Sequence, residues 1–303
     1  MPRDSDSRNQ NIQIWVGDRL YPRSEAKISV FDSSVQGGDA VWEGLRVYNG
    51  RILCLEQHLV RLENSARALA FAGVPDRQAI RKAIFETLNA NGMRDGVHVR
   101  LTLTRGEKIT SGMDPRFNQK GTCLIVLAEW KPPVFEEMAG LRVITSSVTR
   151  NSPRHLDSKI HHNNLLNNIL AKIQANNSGA DAALMLDVNG FASELNDCNI
   201  FMATNGRLLT PHADACLPGI TRALVLEIAR ELNIPCEERN ISLTELYNAD
   251  QVFATGTMGE LAPILEIDGR VMQNRNGNDI LAKLRTRFES LKEVYSEPII
   301  PPT

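Results

Sequence analysis

The sequence predicts an α/β protein of the α+β kind in two domains, a small N-terminal one and a larger C-terminal one. Three observations carry this. Strand-like runs joined by hairpin signals alternate with amphipathic helical stretches along the chain. At 303 residues and 42% hydrophobic content, the chain can bury two ordinary cores. The composition breaks at Lys131-Pro132-Pro133, where consecutive prolines stiffen the backbone. The expected boundaries are 1–129 for the N-terminal domain, 130–137 for the linker and 138–303 for the C-terminal domain.

In chain order, the first ten residues are expected to fray, and IQIWVGDRLY reads as two short strands about Gly17-Asp18. AVWEGLRVY and RILCL flank Asn49-Gly50, a hairpin signal, and lead into an amphipathic helix from about Glu56 to Phe71. A second helix covers Asp76 to Asn91 and stops at Gly92. HVRLTLTRG and TCLIVLAEW are strands separated by an irregular loop. Beyond the linker, LRVITSSV is a strand and Asn151 to Ser158 a loop. Leu165, Leu166, Ile169, Leu170 and Ile173 recur with the helical period and place Lys159 at a helix start. Hairpins follow about Asn189-Gly190, a two-residue type I′ turn, and about Asn205-Gly206. A helix from Ile220 to Asn233, a strand at Glu237 to Ile241, a short helix at Leu243 to Asn248 and the strand DQVFATGT come next. A hairpin about Asp268-Gly269, a helix near Asp279 to Tyr295 and a loose proline-rich tail end the chain.

A net charge of −2 gives no basic excess for nucleic acid or an anionic membrane. Cys54, Cys123, Cys198, Cys216 and Cys236 form no CxxC pair and no metal-ligand spacing, so no metal is expected and a reducing compartment is favoured. No apolar run is long enough to span a bilayer and MPRDSDSRNQ has no signal-peptide core, so a cytoplasmic protein acting on small molecules is expected.

Lys159 carries the chemistry. A lysine at a helix start loses its proton more readily than one at a helix end, which suits a nucleophilic amine. The hairpin that follows delivers Glu194 on its second strand. An amine for covalent attachment and an acid to keep a pyridine nitrogen protonated are what a pyridoxal 5′-phosphate site needs. Pro218-Gly219 before Ile220-Thr221 opens a helix whose free N–H groups suit an anion, and Gly256-Thr257-Met258-Gly259 is a small-residue turn of similar use.

VWEGLRVY, HLVRLENSA, LDVNGFASE, NIF, LLTP, LPGITR, ADQVF and GTMGELAP, in this order, resemble the fold-type IV pyridoxal phosphate aminotransferases, over about Ile14 to Phe288. Within that family the chain is most similar to branched-chain amino acid aminotransferases. The resemblance implies a larger domain around a distorted β-barrel, and a homodimer or higher homo-oligomer with active sites at domain and subunit interfaces. It makes Lys159 the cofactor-bearing lysine and proton shuttle, and Glu194 the partner of the ring nitrogen. It assigns Arg61, Ile220, Thr221 and Thr257 to the phosphate, Leu217 to the ring face, and Asn199 to ordering Glu194. Asn164 stands where branched-chain enzymes carry a tyrosine.

For the substrate, Trp42, Gly44 and Arg46 resemble the branched-chain pocket, and Trp130 an interdomain tryptophan. Arg100 matches the arginine that reads the distal carboxylate of glutamate. His98 replaces a tyrosine, Gly37 replaces another, and Met258 and Gly259 replace an alanine pair over the substrate carboxylate. The implied reaction moves the amino group of a branched-chain L-amino acid to 2-oxoglutarate in a ping-pong cycle. The alternatives on the same scaffold are a D-amino acid or (R)-amine transaminase or aminodeoxychorismate lyase, and outside catalysis a cofactor-binding protein without turnover. His155, His161 and His162 are expected to be structural or solvent-facing.

Overall fold

The computed structural model describes residues 6–132, 140–272 and 279–300. The greater part of the expected linker, 133–137, lies outside the described residues. The chain forms two compact units, Met1–Pro132 with Ile160–Asn164 and Lys292–Thr303, and Pro133–Lys159 with Leu165–Leu291.

The elements of the first unit begin with β1 (Gln13–Val16) and β2 (Arg19–Pro22). A short α1 (Ser33–Gly37), β3 (Ala40–Tyr48), β4 (Arg51–Leu53), α2 (Leu55–Ala68), α3 (Arg77–Ala90), β5 (Val97–Thr104) and β6 (Cys123–Trp130) follow. Asn49 and Gly50 both take positive φ, the geometry a two-residue hairpin requires. Asp76 accepts the Ala79 N–H at 2.7 Å and starts α3, and Gly92 at φ 63° follows its end. The first residues are less frayed than expected: Ser7–Asn11 form a 3₁₀ turn, and the Asn9 side chain bonds the backbone of Trp130 in both directions at 2.9 Å.

Strand alternation decides what each face carries. Val41, Leu45 and Val47 of β3 and Val97, Val99, Leu101 and Leu103 of β5 share one buried cluster with Leu55, Leu59 and Leu62 of α2 and Ile80, Ile84 and Leu88 of α3. Trp42, Gly44 and Arg46 therefore point to the other face, where Gly44 pairs in register with Arg100 and Arg46 with His98.

The second unit contains β7 (Leu141–Thr145), α4 (Leu166–Asn177), β8 (Ala182–Leu186), β9 (Ala192–Leu195), β10 (Asn199–Thr204) and β11 (Arg207–Thr210). It continues with α5 (Ile220–Glu231), β12 (Cys236–Glu238), α6 (Leu243–Tyr247), β13 (Gln251–Gly256), β14 (Glu260–Ile267), β15 (Arg270–Val271) and α7 (Ile280–Leu291). Its sheet runs β12-β11-β10-β13-β14-β7-β8-β9, with β15 beside β14, around a core of Leu141, Leu184, Ile200, Met202, Val252 and Ile264. The tail is not loose throughout. Ser296–Pro298 form β16, and the first unit's sheet runs β16-β4-β3-β5-β6-β1-β2.

Two local expectations are corrected. Lys159 is not at a helix start, because α4 begins only at Leu166 and Ile160–Asn164 run against β3, with Asn163 N bonded to Ala40 O at 2.9 Å and His162 bridged to Val41. The apolar period of α4 is present, but Leu166, Ile169, Leu170 and Ile173 are exposed in this chain while the small Ala171 and Ala175 face inward. The turn at Asn189-Gly190 is wider than type I′: only Gly190 has positive φ, and Asp187 Oδ1 accepts from Asn189 N at 2.8 Å and Phe191 N at 2.9 Å.

Candidate active site

In the second unit, β9 carries Glu194 to a site where it is 5% exposed. Its Oε1 lies 2.7 Å from Arg150 Nε, and that N–H finds no hydrogen-bond partner, so the contact is a charge pair. Leu217 N reaches the same oxygen at 3.4 Å, and Asn199 Nδ2 donates to Oε2 at 3.1 Å and to Leu217 O at 2.9 Å. Burial pushes the Glu194 carboxyl up to about 7 against the opposing charge of Arg150. Burial also pushes the neighbouring Cys216 thiol up to about 12, and that thiol senses Glu194, Arg150 and Lys159 together. Lys159 itself sits in an exposed turn, its N–H bonded to Asp157 Oδ1 at 2.9 Å and its Nζ 4.0 Å from the same oxygen.

Helix α5 begins at Ile220 with Gly219 as its cap residue and no side-chain cap, so its first N–H groups are left for another acceptor. Gly219 is required by close approach: a Cβ there would stand 2.0 Å from Asn199 Oδ1. Thr221 is buried in the first turn of α5, and Thr257, Met258 and Gly259 form the half-buried turn between β13 and β14. At Gly256 a Cβ would meet Cys198 Sγ at 3.0 Å.

In the first unit, Glu43 is the hub that sequence reading passed over. Fully buried between Trp42 and Gly44, it accepts from Arg61 Nε at 2.8 Å and Nη2 at 2.6 Å, lies 2.7 Å from His58 Nδ1, and is 3.2 Å from His161 Nδ1. Burial would raise its carboxyl, but the charge of Arg61 and then the His161 contact hold it well below the usual carboxylate range. Arg61 is therefore no loose helix charge. Its guanidinium is fixed in a bidentate pair.

The opposite face of that sheet is cationic. The Arg100 guanidinium lies 3.4 Å over the Trp42 ring and donates to Asn163 Oδ1 at 3.1 Å, and burial lowers it to about 10. Trp42 stacks on His161 at 4.0 Å. Arg46 is 1% exposed and donates to Lys131 O. Burial, then Lys131, Arg46 and Arg100, depress His98 to about 3, so it is neutral. A Cβ at Gly44 would stand 3.3 Å from His98 Nε2. Trp130, half-buried, packs against this unit's own core under Arg8. Asn164 is engaged locally: its Nδ2 donates to Gly38 O at 3.0 Å, so it does not stand in for a phenol. His161 and His162 are enclosed rather than solvent-facing, while His155 is exposed.

The structure thus gathers Glu194, Asn199, Leu217, Gly219, Ile220 and Thr221 in the second unit, which also carries Lys159, and Trp42, Gly44, Arg46, His98 and Arg100 on one face of the first unit's sheet, with Arg61 on the other face beside Glu43. Arg150, Glu43, His58 and Asn163 were missed. Only the alternation of β3, which puts Glu43 on the helix face, was a signal for any of them.

The two-unit α/β scaffold is that of the class IV aminotransferases. The chain belongs to that family: residues 40–267 match the model of amino-transferase class IV. It is 56% identical over 291 residues to branched-chain-amino-acid aminotransferase-like protein 2 of Arabidopsis thaliana, covering 96% of this chain but only 52% of that relative, about half its length. A putative branched-chain-amino-acid aminotransferase of Methanocaldococcus jannaschii is 38% identical, covering 94% of this chain and 100% of its own. Among solved structures, the branched-chain amino acid aminotransferase from Thermobaculum terrenum in its PLP-form superposes with TM-score 0.85 at 28% identity, over 96% of this chain and 99% of its own. The fold is that of the fold-type IV aminotransferases.

Proposed function

We propose that the protein is a pyridoxal phosphate-dependent transaminase that moves the amino group of a branched-chain L-amino acid to 2-oxoglutarate in a ping-pong cycle. The observation that carries it is the buried Glu194, held by Arg150 and Asn199 beside the uncapped start of α5. That donor set fits pyridoxal phosphate. An acid is present for the ring nitrogen, free N–H groups with the Thr221 and Thr257 hydroxyls for the phosphate, and a primary amine for covalent attachment. When bound, the cofactor supplies the electron sink that makes a substrate Cα–H acidic.

The protein's own groups do the rest. Lys159 Nζ would take the proton from the donor Cα and later return one. Glu194 holds a proton at the ring nitrogen. Leu217 would pack against the ring, and the Ile220 and Thr221 N–H groups would donate to the phosphate oxygens. The role of Arg61 as a phosphate partner rests on the family resemblance. On the first unit, Arg100, Arg46 and neutral His98 form a face that receives a substrate carboxylate, with Trp42 and Gly44 as its apolar border. Among the described residues no acid stands within ion-pair distance of Arg100, and its charge is therefore available to the distal carboxylate of a dicarboxylic oxo acid.

We infer a homodimer, which the exposed apolar stripe Leu166, Ile169, Leu170 and Ile173 on α4 supports. The five cysteines, with no CxxC pair among them, support a reducing, cytoplasmic setting, and no helix among the described residues is long and apolar enough to cross a membrane.

The test offers L-leucine, D-alanine and (R)-phenylethylamine with 2-oxoglutarate or pyruvate. Turnover of L-leucine that Lys159→Ala abolishes is expected; turnover confined to the D or (R) donors overturns the branched-chain reading.

A further inference from the structure

Arg150 lies in the loop after β7, where nothing in SSVTRNS marks it. Its environment does. The side chain is 6% exposed, its Nε stands 2.7 Å from Glu194 Oε1, and its Nη1 donates to Asn168 Oδ1 on α4 at 3.0 Å. Asn168 is itself fixed, since its Nδ2 donates to Asn196 O at 2.7 Å, and Arg150 N is bonded to Leu186 O at 2.9 Å. The guanidinium is therefore held from α4, and the residue's main chain from β8, while the side chain meets one buried acid.

The lone pairs of that acid can be followed. Oε1 receives the Arg150 charge and the Leu217 N–H, and Oε2 receives the Asn199 amide. A carboxylate has about four acceptor positions. The one left is on Oε2, and it must serve the ring nitrogen.

We propose that Arg150 is a positioning residue that keeps Glu194 ionised, so that its free Oε2 position meets the ring nitrogen as an anion and holds the proton on that nitrogen. This rests on the transaminase reading. One proton is shared between Oε2 and the ring nitrogen, and the cation behind Oε1 decides which atom keeps it. The other influences on Glu194 show why a cation is needed. Burial raises it most and Asp197 raises it further, while Arg150 and the Leu217 N–H oppose them. The nearby Cys198 and Cys216 thiols are themselves pushed up and stay neutral. Without Arg150, only the Leu217 N–H and the Asn199 amide, both neutral donors, work against burial and Asp197.

Arg150→Gln keeps N–H donors and removes the charge; Arg150→Lys restores the charge. With pyridoxal phosphate labelled with ¹⁵N in the ring, wild type and Arg150→Lys are expected to show the nitrogen shift of a protonated ring, and Arg150→Gln that of an unprotonated one. In the cofactor-free full chain, the raised carboxyl makes stability fall as pH rises from 4.5 through about 7. Arg150→Gln should move the end of that fall upward by about 1–3 pH units, the usual effect of losing an opposite charge at this range. A protonated ring nitrogen in Arg150→Gln, or a stability profile superimposable on wild type, overturns the proposal. Asn168→Ala frees the guanidinium from α4 and should shift the profile less, in the same direction; it decides the matter if Arg150→Gln does not fold. If wild type takes up no pyridoxal phosphate, the transaminase reading fails, while the cofactor-free titration still reports whether Arg150 ionises Glu194.

Discussion

Gly219→Ala probes the contact on which the geometry of Glu194 depends. A Cβ at position 219 would stand 2.0 Å from Asn199 Oδ1 and 3.2 Å from its Cγ, distances that no side-chain libration absorbs. Asn199 must swing away, and its Nδ2 then loses both the Glu194 Oε2 bond of 3.1 Å and the Leu217 O bond of 2.9 Å. A hydrogen bond to a charged group contributes about 1.5–3 kcal/mol and a neutral one about 0.5–1.5 kcal/mol, so the expected loss is about 2–4 kcal/mol. Urea unfolding followed by circular dichroism measures it, and pyridoxal phosphate affinity should fall with it. Gly37→Ala is the control. That glycine ends α1 with no neighbour within 4 Å of an added Cβ, so its replacement should change stability by less than about 1 kcal/mol. A Gly219→Ala protein within about 0.5 kcal/mol of wild type, the range of an ordinary surface change, would refute the reasoning.

Glu43→Gln leaves Arg61 without its carboxylate in a buried site, and urea unfolding should show a loss of about 3–5 kcal/mol. Because the Glu43 carboxyl is depressed in the folded protein, its contribution is present above pH 4.5 and is lost as pH falls, so acid unfolding of Glu43→Gln should be shallower than that of wild type. His98 is depressed to about 3, so the unfolded chain binds the extra proton and stability rises with pH between 3 and 6.5; His98→Gln should flatten that rise in a series of thermal melts. Phe201→Ala removes one ring of a stacked pair 5.3 Å from Phe253 and should cost about 3–5 kcal/mol by the same unfolding measurement. Ile169→Glu on the α4 stripe should reduce the sedimentation-derived mass of a dimer towards that of one chain, and an unchanged mass would remove that face from the interface.

Much of the fold was written locally. Asn49-Gly50, Asn205-Gly206 and Asp268-Gly269 all take paired positive φ, as those dipeptides favour. Asn189-Gly190 departs because Asp187, two residues earlier, binds two turn N–H groups and widens the loop. The start of α4 was misplaced because Ile160–Asn164 take hydrogen bonds from β3, a tertiary preference that periodicity cannot register. Glu194, Asn199 and the α5 start were legible because each sits in a motif. Arg150 was not, since its meaning comes from a strand more than forty positions away; nor was Glu43, whose partners come from α2 and from the segment after Lys159.

The strand Ser296–Pro298 bears on any attempt to isolate the first unit. It pairs with Arg51–Leu53, Arg51 Nη2 donates to Ser296 O at 2.6 Å, and Cys54 N donates to Tyr295 O at 2.8 Å. A fragment stopped at residue 132 would bare β4 as an open sheet margin, ready to recruit the same margin of another molecule. A soluble version should instead be a permuted polypeptide, with residues 292–300 spliced by a flexible tether ahead of residue 6, and with Ile160–Asn164 supplied as a peptide in trans.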